Sequence, residues 1–465
     1  MPRIREEVMK TYDTIVIGSG QGGVPLATNL ADRGWSVALI EKGDVGGSCI
    51  NYGCTPTKTM ISSARIAHYA RVAPEFGIHP GEIKVNMAEV VARKNDIVES
   101  FRSGVQDQIK SSPSLTLYRG HGRFIGAHEI EVKGGRLKSD KIFINTGTRP
   151  RIVPIPGLDQ IEVLTNRNIM DVKELPGHLI ALGGSYLGLE FGQMFRRLGS
   201  GVSVVEMSDT ICPREDPEVS ESLKEALEAE GMKFQLGAKA TKVAKTAGGL
   251  EVTIEKKDGT TETLAGTHLL MAIGQVPNSD DLGLDKAGVA TDKNGYIQHN
   301  GKLETNIPGI WVLGDVKGGP AFTHVSYDDY LVIFDNLANG KNRAVDSRVV
   351  PYALYTDPEL GRIGLTEREA RAKGYRLKIG SAPMSYVARA IERGETSGLM
   401  KIVINADNDR ILGATILGAD GGELVQILMA VMLADVPYTV LENKMFIHPT
   451  LAEGLFALLR NVEAA

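Results

Sequence analysis

Cysteine is scarce in this sequence, three residues in 465. So few exclude a secreted, disulfide-stapled scaffold and favour a reducing compartment, with the cytoplasm as the default. Long apolar runs are missing as well. None approaches the roughly 18 residues that a membrane span needs, and the opening stretch Met1–Lys10 is charged rather than signal-like. Neither sign of charge dominates. The formal net charge is −5 with both signs interspersed, which leaves no basic patch for a nucleic acid. What the chain has in quantity is glycine, 53 residues, beside a 42% hydrophobic content. That excess fits many tight strand-to-helix turns, and the length asks for about three domains.

The first such turn comes early. Asp13–Ile17 is a short β-branched run, followed by Gly18-Ser19-Gly20-Gln21-Gly22-Gly23, a helical stretch to Asp32, and a second strand from Ser36 to Ile40 that ends on Glu41. Strand, G-x-G-x-x-G, helix, strand and acid form the dinucleotide fingerprint in its required context. Gly18 permits the turn, Gly20 lets backbone approach a pyrophosphate, and Gly23 allows close helix–strand packing. Free N–H groups at the helix start favour the negative phosphate, and Glu41 can accept from ribose hydroxyls.

The unit recurs. His178–Leu182 reads as a strand, Gly183-Gly184-Ser185-Tyr186-Leu187-Gly188 as the turn, Leu189–Leu198 as the helix, and Val202–Val205 as a second strand ending on Glu206. The acid follows the first glycine by 23 residues in both copies, 41 − 18 and 206 − 183. The second copy carries Ser185 where the first has its middle glycine, small enough to keep the turn. Two dinucleotide units in one chain imply a flavin and a nicotinamide. A carboxylate at Glu206 accepts from the 2′-hydroxyl of NADH and repels a 2′-phosphate, so NADH is favoured over NADPH, with Arg214 nearby as a complication.

Between the copies, Met87, Val90, Val91, Val98, Phe101, Val105 and Ile109 recur at helical spacing as a core-facing stripe. His128–Asp140 reads as a hairpin turning at Gly134-Gly135. Buried strands followed by Gly/Pro exits occur at Ile142–Pro150 and again at Leu269–Asn278, two candidate boundaries. Ile310–Leu313 is an apolar strand that places Asp315 at its tip, where ligands of open α/β sheets lie. From about Ala344 the pattern changes to short β-rich runs (Gly361–Leu365, Gly398–Ile404, Ile411–Leu417) mixed with helices at Glu423–Leu433 and Ala452–Leu459. This is an α+β region whose natural role is association.

Two of the three cysteines, Cys49 and Cys54, sit in a glycine-rich stretch with four residues between them. A five-residue step on a regular helix rises about 7.5 Å, beyond the about 7 Å between Cα atoms that a disulfide tolerates. The pair can bridge only where the helix is distorted, and Gly46, Gly47 and Gly53 supply the freedom for that. Such a bond suits redox work better than scaffolding. Half of a zinc site and two unrelated buried thiols remain open at this point, although no Cys/His pair nearby completes four ligands. Late in the chain, His448 precedes Glu453 by five residues, a spacing that lets the carboxylate orient the imidazole.

Taken together, these segments resemble the pyridine nucleotide–disulfide oxidoreductases, the family of glutathione reductase, dihydrolipoyl dehydrogenase and mercuric reductase. The residues that carry the resemblance are Gly46–Lys58, Gly314-Asp315 and His448-Pro449-Thr450-Leu451-Ala452-Glu453. It implies an α/β fold with two Rossmann-like nucleotide-binding domains, for FAD and for NAD(P), and a C-terminal α+β dimerisation domain. The flavin domain would take residues 1–150 and 278–345, the nicotinamide domain 151–277, and the dimerisation domain 346–465. NAD(P)H would dock on the second unit (Gly183, Tyr186, Leu187, Glu190, Glu206, Gly274), with Tyr186 covering the nicotinamide pocket. FAD would lie on the first unit (Gly18, Gly20, Gly23, Glu41, Lys42). Gly47, Ser48, Thr146, Gly147, Gly314 and Asp315 would complete its site.

In the same resemblance the reduced flavin opens a Cys49–Cys54 disulfide. Cys54 becomes the flavin-side thiolate and Cys49 attacks the acceptor. Lys58 and Glu190 match an ion pair beside flavin N5. His448, oriented by Glu453, would serve Cys49 as acid–base from the partner subunit of a homodimer, in keeping with a thiolate's need for a nearby base. The acceptor is a small molecule or a metal ion, with no resident metal site, no nucleic acid and no membrane.

The subgroup divides. His448–Glu453 and Glu206 look like dihydrolipoyl dehydrogenase. Ala321–Tyr330 and Cys54–Thr59 are more similar to mercuric-reductase-like proteins and the reactive-chlorine-resistance copper reductase, although no cysteine follows Cys212, where mercuric reductases carry a C-terminal pair. Tyr52 stands where the family usually has a small aliphatic residue and narrows the acceptor side. Cys212 reads as a structural thiol. The leading expectation is a mercuric-reductase-like reductase of soft metals, small disulfides or oxidants. Dihydrolipoyl dehydrogenase is the second reading, and a flavin-binding redox sensor with little turnover is the third.

Overall fold

The computed structural model describes residues 9–465, so all but the end of the charged opening stretch lies outside it. The β-branched run Thr14–Ile17 is buried along its whole length at the centre of a five-stranded parallel sheet. Its neighbours are Val37–Glu41 on one side and Ile142–Ile144 on the other, with Leu115–Arg119 and Ile310–Val312 at the edges. Near-continuous apolar strands are what a parallel sheet covered on both faces requires. The helices Gly23–Asp32 and Thr323–Ala338 and the end of the 25-residue helix Met87–Ser111 supply one cover, through Leu26, Leu30, Ile109 and Ile333.

A second five-stranded parallel sheet repeats the plan. His178–Leu182 is central, flanked by Gly201–Val205 and His268–Met271, with Lys233–Gln235 and Val163–Leu164 outermost. In both sheets the strand entering the glycine turn lies between the acid-bearing strand and the strand that returns to the site. The helix after the second turn begins at Tyr186, three residues earlier than its apolar pattern suggests, and runs to Leu198. The two Gly/Pro exits are not loose connections. Thr148–Pro150 pairs antiparallel with Gln275–Pro277, so the two crossings between the sheets form one ribbon. Among the described residues, no helix is long and apolar enough to cross a membrane.

The C-terminal region is a six-stranded antiparallel sheet in the order Tyr352–Leu354, Glu359–Gly364, Ile411–Gly418, Leu399–Asn405, Leu377–Pro383 and Val462–Ala464. The helix Gly421–Leu433 packs across it through Leu424, Val425 and Leu428. The last helical stretch is broken, with a 3₁₀ turn at Ala452–Gly454 before the helix Leu455–Arg460.

Two local readings change. The hairpin Glu129–Lys138 turns at Lys133-Gly134, one residue earlier than expected, because both take positive φ (49° and 77°) as a two-residue turn requires. In the helix Met87–Ser111, Phe101 is 55% exposed although the rest of its stripe is buried or packed. Met87 and Val91 join one core and Val105 and Ile109 another, and Phe101 falls in the stretch between them.

Candidate functional site

The helix break that the cysteine spacing requires is present. Gly47–Asn51 forms one short helix and Cys54–Val72 a second, so Cys49 ends up on the first and Cys54 opens the second. Pro56 is tolerated because it lies in the first turn, where no backbone donor is needed. Glycine is required on both sides of the break. Gly47 takes φ +67° and a Cβ there would stand 2.6 Å from the Cα of Gly20 in the first nucleotide turn. A Cβ on Gly53 would meet the carbonyl oxygen of Ser48 at 3.0 Å.

The two cysteines are unbridged in this structure and close enough for each to act on the other's acidity. The contact separates their acidities. Cys54 is lowered to about 6, first by the hydrogen bond from Cys49, then by Thr323 and the charge of Lys58, against burial and Glu190. Cys49 is pushed up by its bond to Cys54 and by burial. The Cys54 sulfur lies 3.1 Å from Thr323 Oγ1, and it opens a 19-residue helix, whose N-terminus favours a thiolate.

One turn into that helix, Lys58 Nζ donates to Glu190 Oε2 at 2.8 Å. Burial disfavours the ammonium most, yet Glu190's charge and hydrogen bond bring a net rise in its pKa. The pair is fixed from the C-terminal region as well. The Tyr355 N–H donates to Glu190 Oε1 at 2.9 Å, and Lys58 Nζ sits 4.6 Å from the centre of the Tyr355 ring. Lys58 and Glu190 are thus brought together across 132 residues.

A cavity of about 310 Å³ runs along the first glycine turn to the cysteines. Gly18, Gly20, Glu41, Lys42, Gly47, Ser48, Thr146, Gly147 and Asp315 line it. Its wall at the turn is backbone packed too closely against backbone to admit a side chain. A Cβ on Gly18 (φ +104°) would lie 2.2 Å from the Asn145 carbonyl oxygen. Glu41 stands at the strand tip, its Oε2 accepting from the N–H and hydroxyl of Ser19. Asp315 at the opposite strand tip has its carboxyl raised by burial. Bare backbone, a helix start and carboxylates at two strand tips fit FAD. Gly23 and Gly314 stand behind the wall. The Gly23 N–H donates to Asn145 Oδ1, and the Gly314 N–H to the fully buried Asp329.

The second cavity, about 970 Å³, is lined by Gly183, Tyr186, Leu187, Glu190, Glu206 and Gly274, together with Lys58. Glu206 again caps the turn, accepting from the N–H groups of Gly184 at 2.7 Å and Ser208 at 2.8 Å. Arg214 does not approach it by a hydrogen bond; its guanidinium lies 5.1 Å from the ring centre of Tyr186. These residues fit a nicotinamide dinucleotide. Cys49, Cys54, Leu187, Asp315 and Thr323 line both cavities, which meet at the sulfurs.

His448 and Glu453 form their own pair, Nδ1 to Oε2 at 2.9 Å, with His448 mostly exposed. Neither lines the two cavities that hold the cysteines of the same chain. Cys212 is buried, and burial raises its thiol. Tyr52 lines the first cavity under the guanidinium of Arg167, 4.5 Å from the ring centre. The sequence pattern did not expose Thr323, Asn145 or Tyr355. Each reaches its partner over more than a hundred residues, and the only signal was their place at the end of a strand or the start of a helix that returns to the site.

Comparison with known proteins agrees with this geometry. Residues 12–329 match the pyridine nucleotide-disulphide oxidoreductase model and residues 350–457 its dimerisation domain. The chain is 38% identical to dihydrolipoyl dehydrogenase of Thermus scotoductus, over 96% of both chains. It is 32% identical to mercuric reductase of Lysinibacillus sphaericus, over 96% of this chain and 81% of that one. The structure of RclA from Escherichia coli, described as an HOCl-induced flavoprotein disulfide reductase, superposes with a TM-score of 0.89 at 33% identity, covering 97% of this chain and 100% of that one. RclA has also been solved as a Cu(II) complex. The chain belongs to the pyridine nucleotide-disulphide oxidoreductases, enzymes that are FAD-dependent and use NAD(P)H.

Proposed function

We propose that this enzyme takes electrons from NADH and delivers them through Cys49 and Cys54 to a soft metal ion of the Hg(II) or Cu(II) type, or to a small disulfide or oxidant. The observation that carries this reading is the meeting of both cavities at the two sulfurs. FAD, when bound, supplies the two-electron relay between a hydride donor on one side and a disulfide on the other. Two electrons and one proton convert the disulfide to a thiol at Cys49 and a thiolate at Cys54. Cys54, with its lowered pKa, keeps the flavin-side thiolate, and Cys49 keeps its proton until a base removes it.

That base is the partner subunit's His448, oriented by its own Glu453, in a homodimer formed through the dimerisation domain. The absence of this pair from the lining of the cavities that hold the cysteines of its own chain supports supply across the interface. Two thiolates are soft ligands, which suits Cu and Hg, and RclA and mercuric reductase are among the similar proteins. Glu206, with a carboxylate where a 2′-phosphate would lie, supports NADH as donor.

A second reading, dihydrolipoyl dehydrogenase, is favoured by the 38% identity to the Thermus scotoductus enzyme. Steady-state assays with Hg(II), Cu(II), oxidised glutathione, O2 and dihydrolipoamide with NAD+ separate the two. Turnover with the metals supports the first reading, and strong turnover with dihydrolipoamide alone replaces it with the second. A markedly better rate with NADPH than with NADH overturns the role given to Glu206.

A further inference from the structure

Behind the wall of the second cavity lies a carboxylate that the electron path does not use. Glu215 is 2% exposed and lines neither cavity. Its Oε2 accepts from the buried Arg362 at 2.9 Å. Its Oε1 accepts from two phenols, Tyr352 at 2.6 Å and Tyr186 at 3.3 Å. Tyr186 is the ring that faces the cavity. It is held on three sides, by Glu215 at its hydroxyl, by Tyr352 at 5.6 Å between ring centres, and by the Arg214 guanidinium.

The two phenols are not equivalent. One oxygen serves both, and the shorter bond belongs to Tyr352, which does not line the cavity. Tyr186 has the longer and weaker bond and is free on its cavity face, so it is the member that can leave at small cost. Glu215, by contrast, sits in a fixed turn. Asp216, the next residue, lies 3.1 Å from the buried Lys401 and accepts from the Glu367 N–H, so this turn is anchored to the C-terminal sheet.

We infer that Glu215 is the latch of the nicotinamide gate, a positioning residue that holds Tyr186 closed and shares its grip with Tyr352. This rests on the reading of the second cavity as the nicotinamide site and on the expectation, from the family resemblance, that Tyr186 covers it. A nucleotide that binds only the open gate has an apparent affinity reduced by the open fraction. Weakening the Tyr186 bond raises that fraction. Removing the competing phenol at Tyr352 leaves Oε1 to Tyr186 alone and lowers it.

The two tyrosine hydroxyls therefore act in opposite directions, which general damage to packing does not. The test is calorimetric binding of NAD+, which does not reduce the flavin, to the FAD-loaded enzyme. Tyr186→Phe keeps the ring and loses the bond; it should tighten NAD+ binding by about threefold to tenfold, the worth of one modest hydrogen bond. Tyr352→Phe should weaken binding by a smaller factor. Both variants moving together, or both staying within twofold of the parent while Tyr186→Ala changes the affinity, overturns the latch alone. An unchanged affinity in Tyr186→Ala removes the nicotinamide from this cavity and overturns the reading beneath the latch as well.

Discussion

Thr323 Oγ1 lies 3.1 Å from the sulfur of Cys54, a contact made across 269 residues of chain. The hydroxyl is the first side chain of the helix Thr323–Ala338, which returns to the cysteines from beneath the first sheet. A hydroxyl that donates to a thiolate favours the charged form, so this contact contributes to holding Cys54 near 6. The thiolate should persist through neutral pH and be lost as pH falls through about 6. Thr323→Val removes the donor and should raise the midpoint by about one unit, whereas Thr323→Ser should largely restore it. The long-wavelength thiolate–flavin absorbance of the two-electron-reduced enzyme, titrated with pH, gives the midpoint directly.

The two sulfurs are expected to separate cleanly in that same absorbance. Cys54 carries the lowered pKa and lies beside Lys58 and Thr323, while the proton of Cys49 is held in place. Cys54→Ser should abolish the band, whereas Cys49→Ser, which has no disulfide to reduce, should show it without any reductant, while the flavin is still oxidised. Cys49→Ala should shift the midpoint further upward than Thr323→Val does, because the bond from Cys49 is the larger cause of the depression. A band that survives in Cys54→Ser assigns the flavin-side role to the wrong sulfur.

The glycine turns, their distant acids and the Cys49–Cys54 segment were legible in the sequence because local backbone needs dictate them. Gly18 and Gly183 take φ values of +104° and +111° that other residues rarely adopt. What could not be read is what two remote segments build together. Asn145 joins the turns at Gly23 and Leu313 through one amide, and Tyr355 closes on the Lys58–Glu190 pair from the C-terminal sheet. Neither residue belongs to a spaced pattern. The pairing of the exits at Pro150 and Pro277 was hidden for a related reason. Each reads alone as the end of a strand, and only the fold brings the two together as a ribbon.

Glu359 should make stability depend on pH. Its carboxyl is pushed up to about 7 by burial, and it accepts from the Gly422 N–H at 3.1 Å where the helix Gly421–Leu433 meets the sheet. A folded-state pKa above the ordinary 4.5 means the folded protein binds this proton more tightly than the unfolded chain. The resulting stability is complete below about pH 4.5 and is lost as pH rises through about 7. Glu359→Gln keeps an acceptor for Gly422 and has no proton to lose. Its melting temperature should exceed the parent's at pH 8, by the equivalent of roughly 2 kcal/mol, and the gap should close near pH 5. Differential scanning calorimetry across that range checks the sign.

The placement of His448 leads to a prediction about mixed dimers. In one chain the His448–Glu453 pair lies apart from the cavities that hold Cys49. If the imidazole serves the cysteine of the opposite subunit, each active site takes one residue from each chain. Cys49→Ser and His448→Ala homodimers should then both be severely impaired, each lacking one component at both sites. A heterodimer of the two variants behaves differently. One of its sites combines both substitutions and is dead, while the other combines an intact Cys49 with an intact His448. Differently tagged chains, co-expressed and purified as the mixed dimer, should therefore recover about half of the parent rate, since one of two sites is whole. A cis arrangement leaves every site with one defect, and the mixed dimer would then be as inactive as either homodimer.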